Sequence, residues 1–330
     1  MKARFEFRPY ARPFKTPLQT HHGRWTTRRG IVLRLESETG LGWGEIAPIP
    51  EFGSETFEQA LRFCQALPTR LTASQIAQTP ETLPACQFGF ESAWEMVQSV
   101  APADQPNLPA LQTSLLLPTG KSALESPLLF GSLSGQPAAA FHPTFKWKIG
   151  VAPIAQEMAI FEELVSLLPS GAKLRLDANG GLTWPQASLW LQVCDGYDIE
   201  FLEQPLPPDQ FTAMLKLSQR HQTPIALDES VSQLGQLQAC WEQGWRGIFV
   251  IKAPISGSPR RLQQFCQQGL DVVWSSVFET SIARRYIEQL AALLPPNSDL
   301  GRAHGFGVDH WFGDGWERLP PAQIWQRLEP

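Results

Sequence analysis

The sequence predicts an α/β chain, a barrel of alternating strands and helices preceded by a smaller α+β domain. Three observations carry this. Short apolar runs recur with helical segments between them over about the last 200 residues, close to the roughly 250 of a typical (β/α) barrel. The first hundred residues lack that alternation. Charged residues also stand at or near the C-terminal ends of five successive runs.

In order along the chain, "ARFEFRPY" and "GIVLRLES" read as strands, and "TGLGWGEIAPIP" follows as glycine and proline turns. "SETFEQALRFCQAL" and "FGFESAWEMVQSV" carry apolar residues at three- and four-residue spacing and read as helices. "APADQPNLP" reads as a linker. Residues 1–105 are then an α+β domain, 106–310 a barrel, and 311–330 a segment expected to pack back on the first domain. The barrel strands are "LQTSLLLP", "FKWKIG", "KLRLDANG", "DIEFLEQPL", "PIALDES", "GIFVIKAPI" and "DVVWSSVFE", with "AHGFGVDHW" as the remnant of an eighth. A doubly wound sheet is the alternative, but no glycine-rich phosphate fingerprint follows the first strand.

Composition narrows the function classes. The 330 residues are 43% hydrophobic and 18% charged, ordinary for a globular protein. Net charge is −5 with no basic run, which argues against a nucleic-acid partner. The five cysteines are scattered without a CxxC pair, so reduced thiols in a cytoplasmic protein are expected. No signal-peptide core and no membrane-length apolar stretch is present.

The chemistry lies at the strand ends. Asp177 ends "LRLD", Glu203 ends "EFLE", Asp228 ends "IALD" and Lys252 ends "FVIK", while Lys146 and Lys148 sit in "FKWKIG". Successive steps of 26, 25 and 24 residues from Asp177 to Lys252 are each one βα unit, which sets the groups side by side on the C-terminal face. In "KLRLD" the period of two puts Lys173, Arg175 and Asp177 on one face, and in "FKWKI" it puts Lys146 and Lys148 opposite Phe145, Trp147 and Ile149. Three converging carboxylates repel one another unless a cation sits between them, and oxygen ligands without histidine or cysteine favour Mg²⁺ or Mn²⁺. A lysine base near neutral pH needs its pKa of about 10.4 lowered, which a cation, a neighbouring lysine and burial all favour. Taken singly, each charge reads as a helix cap or solvated loop residue; "DANGGLTWP" reads well as a turn in which Thr183 caps a helix. The recurrence over five units overturns the single readings.

These motifs ("KWK", "DAN", "EQP", "DES" and "IK" on the second to sixth strands) resemble the enolase superfamily, in its muconate-lactonizing-enzyme-like subgroup. The resemblance covers nearly the whole chain and implies a modified (β/α)₇β barrel under an α+β cap. It implies Asp177, Glu203 and Asp228 as Mg²⁺ ligands, Lys148 and Lys252 on opposite faces of a small-molecule substrate, and Lys146 tuning Lys148. Asn179 and Glu229, in "DAN" and "DES", are expected to support the ligands. Within the superfamily, "GWGEIAPIPEFGSET" and "LPACQFGFESAW" resemble the cap of the o-succinylbenzoate synthases, whose loop, here with Phe52 and Gly53, closes over the substrate. "WSSVFETSIA" on the seventh strand resembles the place where those enzymes hold a succinyl carboxylate, by Ser275 or Ser276. Arg175 and Gly301 match further positions.

The implied reaction is syn dehydration of 2-succinyl-6-hydroxy-2,4-cyclohexadiene-1-carboxylate to o-succinylbenzoate, on the way to menaquinone or phylloquinone. Lys148 would move the proton and Lys252 would stabilise the anion. N-acylamino acid racemase or dipeptide epimerase is the rival that keeps the same lysines, and a catalytically silent barrel is the second. "THHGRW" reads as a second loop, with His21 and His22 solvated. His304 and His310 are assigned no role.

Overall fold

The structure, a computed structural model, describes residues 1–20, 23–99, 111–130, 143–294 and 301–329. The expected linker at 101–109, the boundary at 105, His21 and His22 lie outside the described residues.

The cap is a four-stranded antiparallel sheet, formed by β1 (Lys2–Thr20), β2 (Gly23–Glu36), β3 (Leu41–Ile46) and β4 (Arg70–Thr72) in the order β3-β2-β1-β4. Alternation in "GIVLRLE" sends Ile31, Leu33 and Leu35 to one face and Val32 to the other. The first face is covered by α1 (Phe57–Ala66), α2 (Ala73–Ala77) and α3 (Pro84–Gln98). Helix α1 starts where Thr56 and Gln59 close a capping box. "GLGWG", read as a turn, is instead strand β3. Its glycines serve close packing: a Cβ on Gly42 would lie 1.9 Å from the Ala93 carbonyl of α3, and one on Gly44 would lie 2.0 Å from that of Gly89.

Seven parallel strands form the second sheet: β5 (Leu115–Leu116), β6 (Thr144–Lys148), β7 (Lys173–Asp177), β8 (Ile199–Glu203), β9 (Ile225–Leu227), β10 (Ile248–Ile251) and β11 (Asp271–Trp274), neighbours in chain order. Outside them run α4 (Pro127–Phe130), α5 (Ile154–Leu167), α6 (Trp184–Cys194), α7 (Phe211–Ser218), α8 (Leu234–Glu242), α9 (Pro259–Cys266) and α10 (Ser281–Leu293). The eighth strand is reduced to bridges, Thr113 with His304 and Ser275 with Gly305, and these close the sheet into a barrel. Both the barrel and the cap match the predicted fold class. Thr183 does cap α6, through a box with Gln186, while Asp177 keeps its place on β7.

The period of two governs the barrel. Phe145, Trp147, Leu174, Leu176, Leu202, Ile225, Leu227, Phe249, Ile251 and Trp274 face the helices. Phe201, Ala226, Ile248, Val250 and Val273 pack together inside the barrel. Burying each large outward residue is worth about 1.5–3 kcal/mol, and a one-residue slip would swap it for a charged neighbour. Register is therefore fixed, and with it the inward direction of the polar residues.

The last helix, α11 (Pro321–Arg327), returns to the cap. Trp316 and Ile324 pack with Tyr10, Val32 and Trp43 on the second face of the sheet. Buried Arg12 pairs with Asp314 and Glu317, and Arg8 donates to the carbonyls of Trp325 and Leu328.

Candidate active site

Following the inward face of each strand to its C-terminal end gives one residue per strand. Lys148, Asp177 and Glu203 are lateral neighbours in register on β6, β7 and β8. Asp228 and Lys252 follow directly after β9 and β10, and Ser275 after β11. The same alternation that puts Ala226, Val250 and Val273 inside carries Asp228, Lys252 and Ser275 inward two residues later. Asp177, Glu203 and Asp228 are only 1%, 2% and 5% exposed.

Each carboxylate faces a lysine. Lys146 Nζ lies 2.9 Å from Asp177 Oδ2 and 2.8 Å from Glu203 Oε1. Lys148 Nζ lies 3.1 Å from Asp177 Oδ2 and also donates to Asn179 Oδ1. Lys252 Nζ pairs with Asp228 Oδ1, and the Phe52 ring covers it, with Nζ 4.4 Å from the ring centroid. Asn179 donates to Glu229 Oε1 at 3.1 Å, and the other Glu229 oxygen is buried without a hydrogen-bond partner among the described residues. The 50s loop is tied down on its other side, where Gln233 donates to the Gly53 carbonyl.

Crowding decides the protonation. Burial and the Asp177 charge push Glu203 up to about 7, with Lys146 opposing. Burial raises Asp228, against Lys252 and with Glu229. Burial, then Asp177, raises Glu229. Asp177 goes the other way: burial is outweighed by Lys146, Lys148 and the Asn179 amide, and the group stays well below the carboxylate range. Lys146 is held by its carboxylate neighbours. Burial does act to lower it, but Asp177, Glu203 and Asp228 outweigh burial and hold the ammonium charged.

The donor set suits a hard divalent cation. It is oxygen only, buried, and spread over adjacent strands, and burial, with the Asp177 charge, holds Glu203 back from ionising. The orphaned Glu229 oxygen adds a further acceptor nearby. Among the described residues no three carboxylate, imidazole or thiol groups already converge on a common point; the three carboxylates are each paired with a lysine.

Other expected residues fall at different depths. Arg175 is one layer below Asp177, bidentate to Glu200 and with its guanidinium 4.6 Å over Phe201. A bulge in the β7–β8 register brings Glu200 to it. Ser276 is spent internally: its hydroxyl donates to Glu279 at 2.7 Å and accepts from Arg284 and the Phe278 amide. Ser275 is half-buried beside Gly305, and its hydroxyl has no hydrogen-bond partner among the described residues. Gly301 is not brought to the site. It precedes Arg302, whose partners Asp271 and Glu200 mark the entrance ends of β11 and β8, opposite the carboxylates. His304 is half-buried, and burial and then Arg175 push it down to about 4.

Gln204, absent from the expected set, is the residue that joins the ligand strands. Fully buried, it accepts from the Asp228 and Ser230 amides at 3.0 and 3.2 Å and donates to the Leu206 carbonyl and Ser230 Oγ. Among the described residues, the non-glycine positions with positive φ are Asn179, Gln204 and Phe278, at 44°, 38° and 60°. All three follow barrel strands at this rim, where strain persists only if the surroundings enforce it. A fully polar residue in "FLEQPL", straight after an apolar strand, was the available signal.

Residues 135–313 match the family described as enolase C-terminal domain-like, and residues 3–97 match that described as MenC, N-terminal domain. The o-succinylbenzoate synthase of Thermosynechococcus vestitus is 41% identical over 99% of both chains. That of Yersinia pestis (strain Pestoides F) is 31% identical over 87% of this chain and 85% of its own. Among solved structures, an o-succinylbenzoate synthase from Thermosynechococcus elongatus BP-1, complexed with Mg in its active site, matches at a TM-score of 0.86 and 40% identity, covering 98% of this chain and 100% of that one. A dipeptide epimerase from Enterococcus faecalis V583 shares the fold at a TM-score of 0.73 and 20% identity, covering 92% and 90%.

Proposed function

The chain belongs to the enolase superfamily and, within it, to the o-succinylbenzoate synthase family; from that premise we propose that it dehydrates 2-succinyl-6-hydroxy-2,4-cyclohexadiene-1-carboxylate to o-succinylbenzoate with Mg²⁺, in menaquinone or phylloquinone biosynthesis. The observation that carries the reading is the rim itself. Three buried carboxylates stand between two lysine positions, under an aromatic side chain from the cap.

Asp177, Glu203 and Asp228 would hold the ion, with Asn179 and Glu229 bracing them. Bound Mg²⁺ supplies positive charge for the negative charge that develops on the ring carboxylate. Lys148, on the more open side of the rim, takes the proton from the carbon bearing that carboxylate. The ring C–H pair moves into the ring, the C–O bond at C6 breaks, and the same proton leaves with the hydroxyl as water. Lys252 stays an ammonium, paired with Asp228 and capped by Phe52, and stabilises the anion by charge and by facing its π-system. Ser275 has a free hydroxyl for the succinyl carboxylate, which favours it over Ser276. Arg175 supports the ligand strand from below.

The cap supports the synthase over the racemase reading, because the catalytic lysines serve both while residues 3–97 match the synthase cap. No helix among the described residues is long and apolar enough to cross a membrane. Five buried free thiols support a reducing, cytoplasmic setting.

The test is an ultraviolet assay for o-succinylbenzoate with Mg²⁺ and with excess chelator. Metal-dependent product formation is expected. A folded, metal-loaded sample that forms none would refute the synthase reading and turn attention to α-proton exchange in N-acylamino acids and dipeptides.

A further inference from the structure

We infer that Arg28 is a positioning residue for this reaction, a clamp that sets the 50s loop and the turn after β11 against each other; the inference rests on the function proposed above. Arg28 is on β2 and only 6% exposed. No carboxylate pairs with it among the described residues. Among the described residues its guanidinium donates only to backbone carbonyls: Nε to Val277 at 2.8 Å, one terminal nitrogen to Arg29 and Pro48 at 2.9 and 2.8 Å, the other to Ala47 at 2.6 Å.

Two segments far apart in sequence therefore meet on one side chain. Ala47 and Pro48 lead directly into the turn at Pro50–Phe52, which carries the ring over Lys252. Val277 lies between Ser276 and Phe278, and Phe278 is held at a φ of 60° with its amide on Ser276 Oγ. Ser275 is two residues before Val277. A buried cation without a counter-charge is costly unless fully hydrogen-bonded. Here the planar fork of the guanidinium is what lets one group span both loops.

Arg12, the cross-strand neighbour of Arg28, provides the comparison. It is also buried, but it pairs with Asp314 and Glu317 and ties the cap to the C-terminal segment rather than to the site.

The experiment is a double-variant cycle in the full-length, Mg²⁺-loaded protein, using Arg28→Met, Phe52→Leu and their combination, with Arg28→Lys and Arg12→Met as further variants. Arg28→Met is expected to lower kcat/KM by about tenfold or more, and the double variant to lose no more than the worse single, since both changes act through one loop. Arg28→Lys should restore thermal stability but not rate. Arg12→Met should lower the melting temperature while leaving kcat within about twofold of the parent. Amide hydrogen exchange is read alongside and needs no substrate: Arg28→Met and Arg28→Lys should speed exchange in 49–54 and 276–280 together, and Arg12→Met in neither. Multiplying losses in the double variant, or unchanged exchange in those two segments, would overturn the inference. A wild-type protein that forms no o-succinylbenzoate would instead sink the proposed reaction, and the exchange result would still decide the clamp.

Discussion

Replacing Gln204 with leucine should damage both the stability of the protein and its hold on the metal. The substitution keeps the volume nearly constant and strips the polar atoms. It leaves the Asp228 and Ser230 amides without their acceptor, and the Leu206 carbonyl and Ser230 hydroxyl without their donor. A buried orphaned group costs about 1–3 kcal/mol, so the two amides alone come to roughly 2–6. The added apolar carbon returns about 1 kcal/mol, leaving a net loss on the order of 1–5 kcal/mol. For a chain of this length the entropy of unfolding converts that into a fall of about 1.5–7 °C in Tm. Differential scanning calorimetry in chelator reads the loss. Mg²⁺ titration should show affinity weakened by about 10- to 100-fold, the usual effect of removing a group that orients metal ligands. A Tm within about 1 °C of wild type, with Mg²⁺ affinity unchanged, would reduce Gln204 to filler and refute the reasoning.

Lys148→Ala and Lys252→Ala should each remove turnover, by about 10²-fold or more, with the circular dichroism spectrum unchanged; near-normal kcat in either excludes that lysine from the chemistry. Asp228→Asn should weaken Mg²⁺ affinity, and an unaltered calorimetric titration would take Asp228 out of the ligand set. In chelator, Glu203 should make stability depend on pH. Its folded pKa, about 7, is above the ordinary 4.5, so its contribution is complete below about pH 4.5 and is lost as pH rises through 7. Asp177, with a depressed pKa, contributes above 3.8 and loses that contribution only in stronger acid, outside this window. Melting temperature should therefore fall between about pH 5 and pH 8, and Glu203→Gln should flatten the slope; an equal slope in the variant would assign it to other groups.

The fold was legible because it follows from periods. Alternation in "KLRLD" and "FKWKI" separates the residues that face the helices from those that face inward, and the spacing of one βα unit sets Asp177, Glu203 and Asp228 on adjacent strands. What stayed hidden breaks a period or depends on distant partners. The bulge at Glu200 cannot be seen in "DIEFLE", yet it is what brings a carboxylate to Arg175. "GLGWG" reads as turn until a helix backbone is found against it. The last strand is too short to carry a pattern, so Gly301 was matched by position and lies at the other end of the barrel. Gln204 and Arg28 act on backbone groups remote in sequence, which no local pattern records.

The return of α11 to the cap sets the timing of synthesis. Tyr10, Val32 and Trp43 are made early, but their cover, Trp316 and Ile324, is translated some 270 residues later. At about 5–20 residues per second the ribosome leaves that apolar sheet face bare for roughly 15–55 s. During that interval the nascent cap carries the kind of sticky surface that chaperones bind, and the buried Arg12 has no anions to meet. The protein is sealed from its last segment backwards.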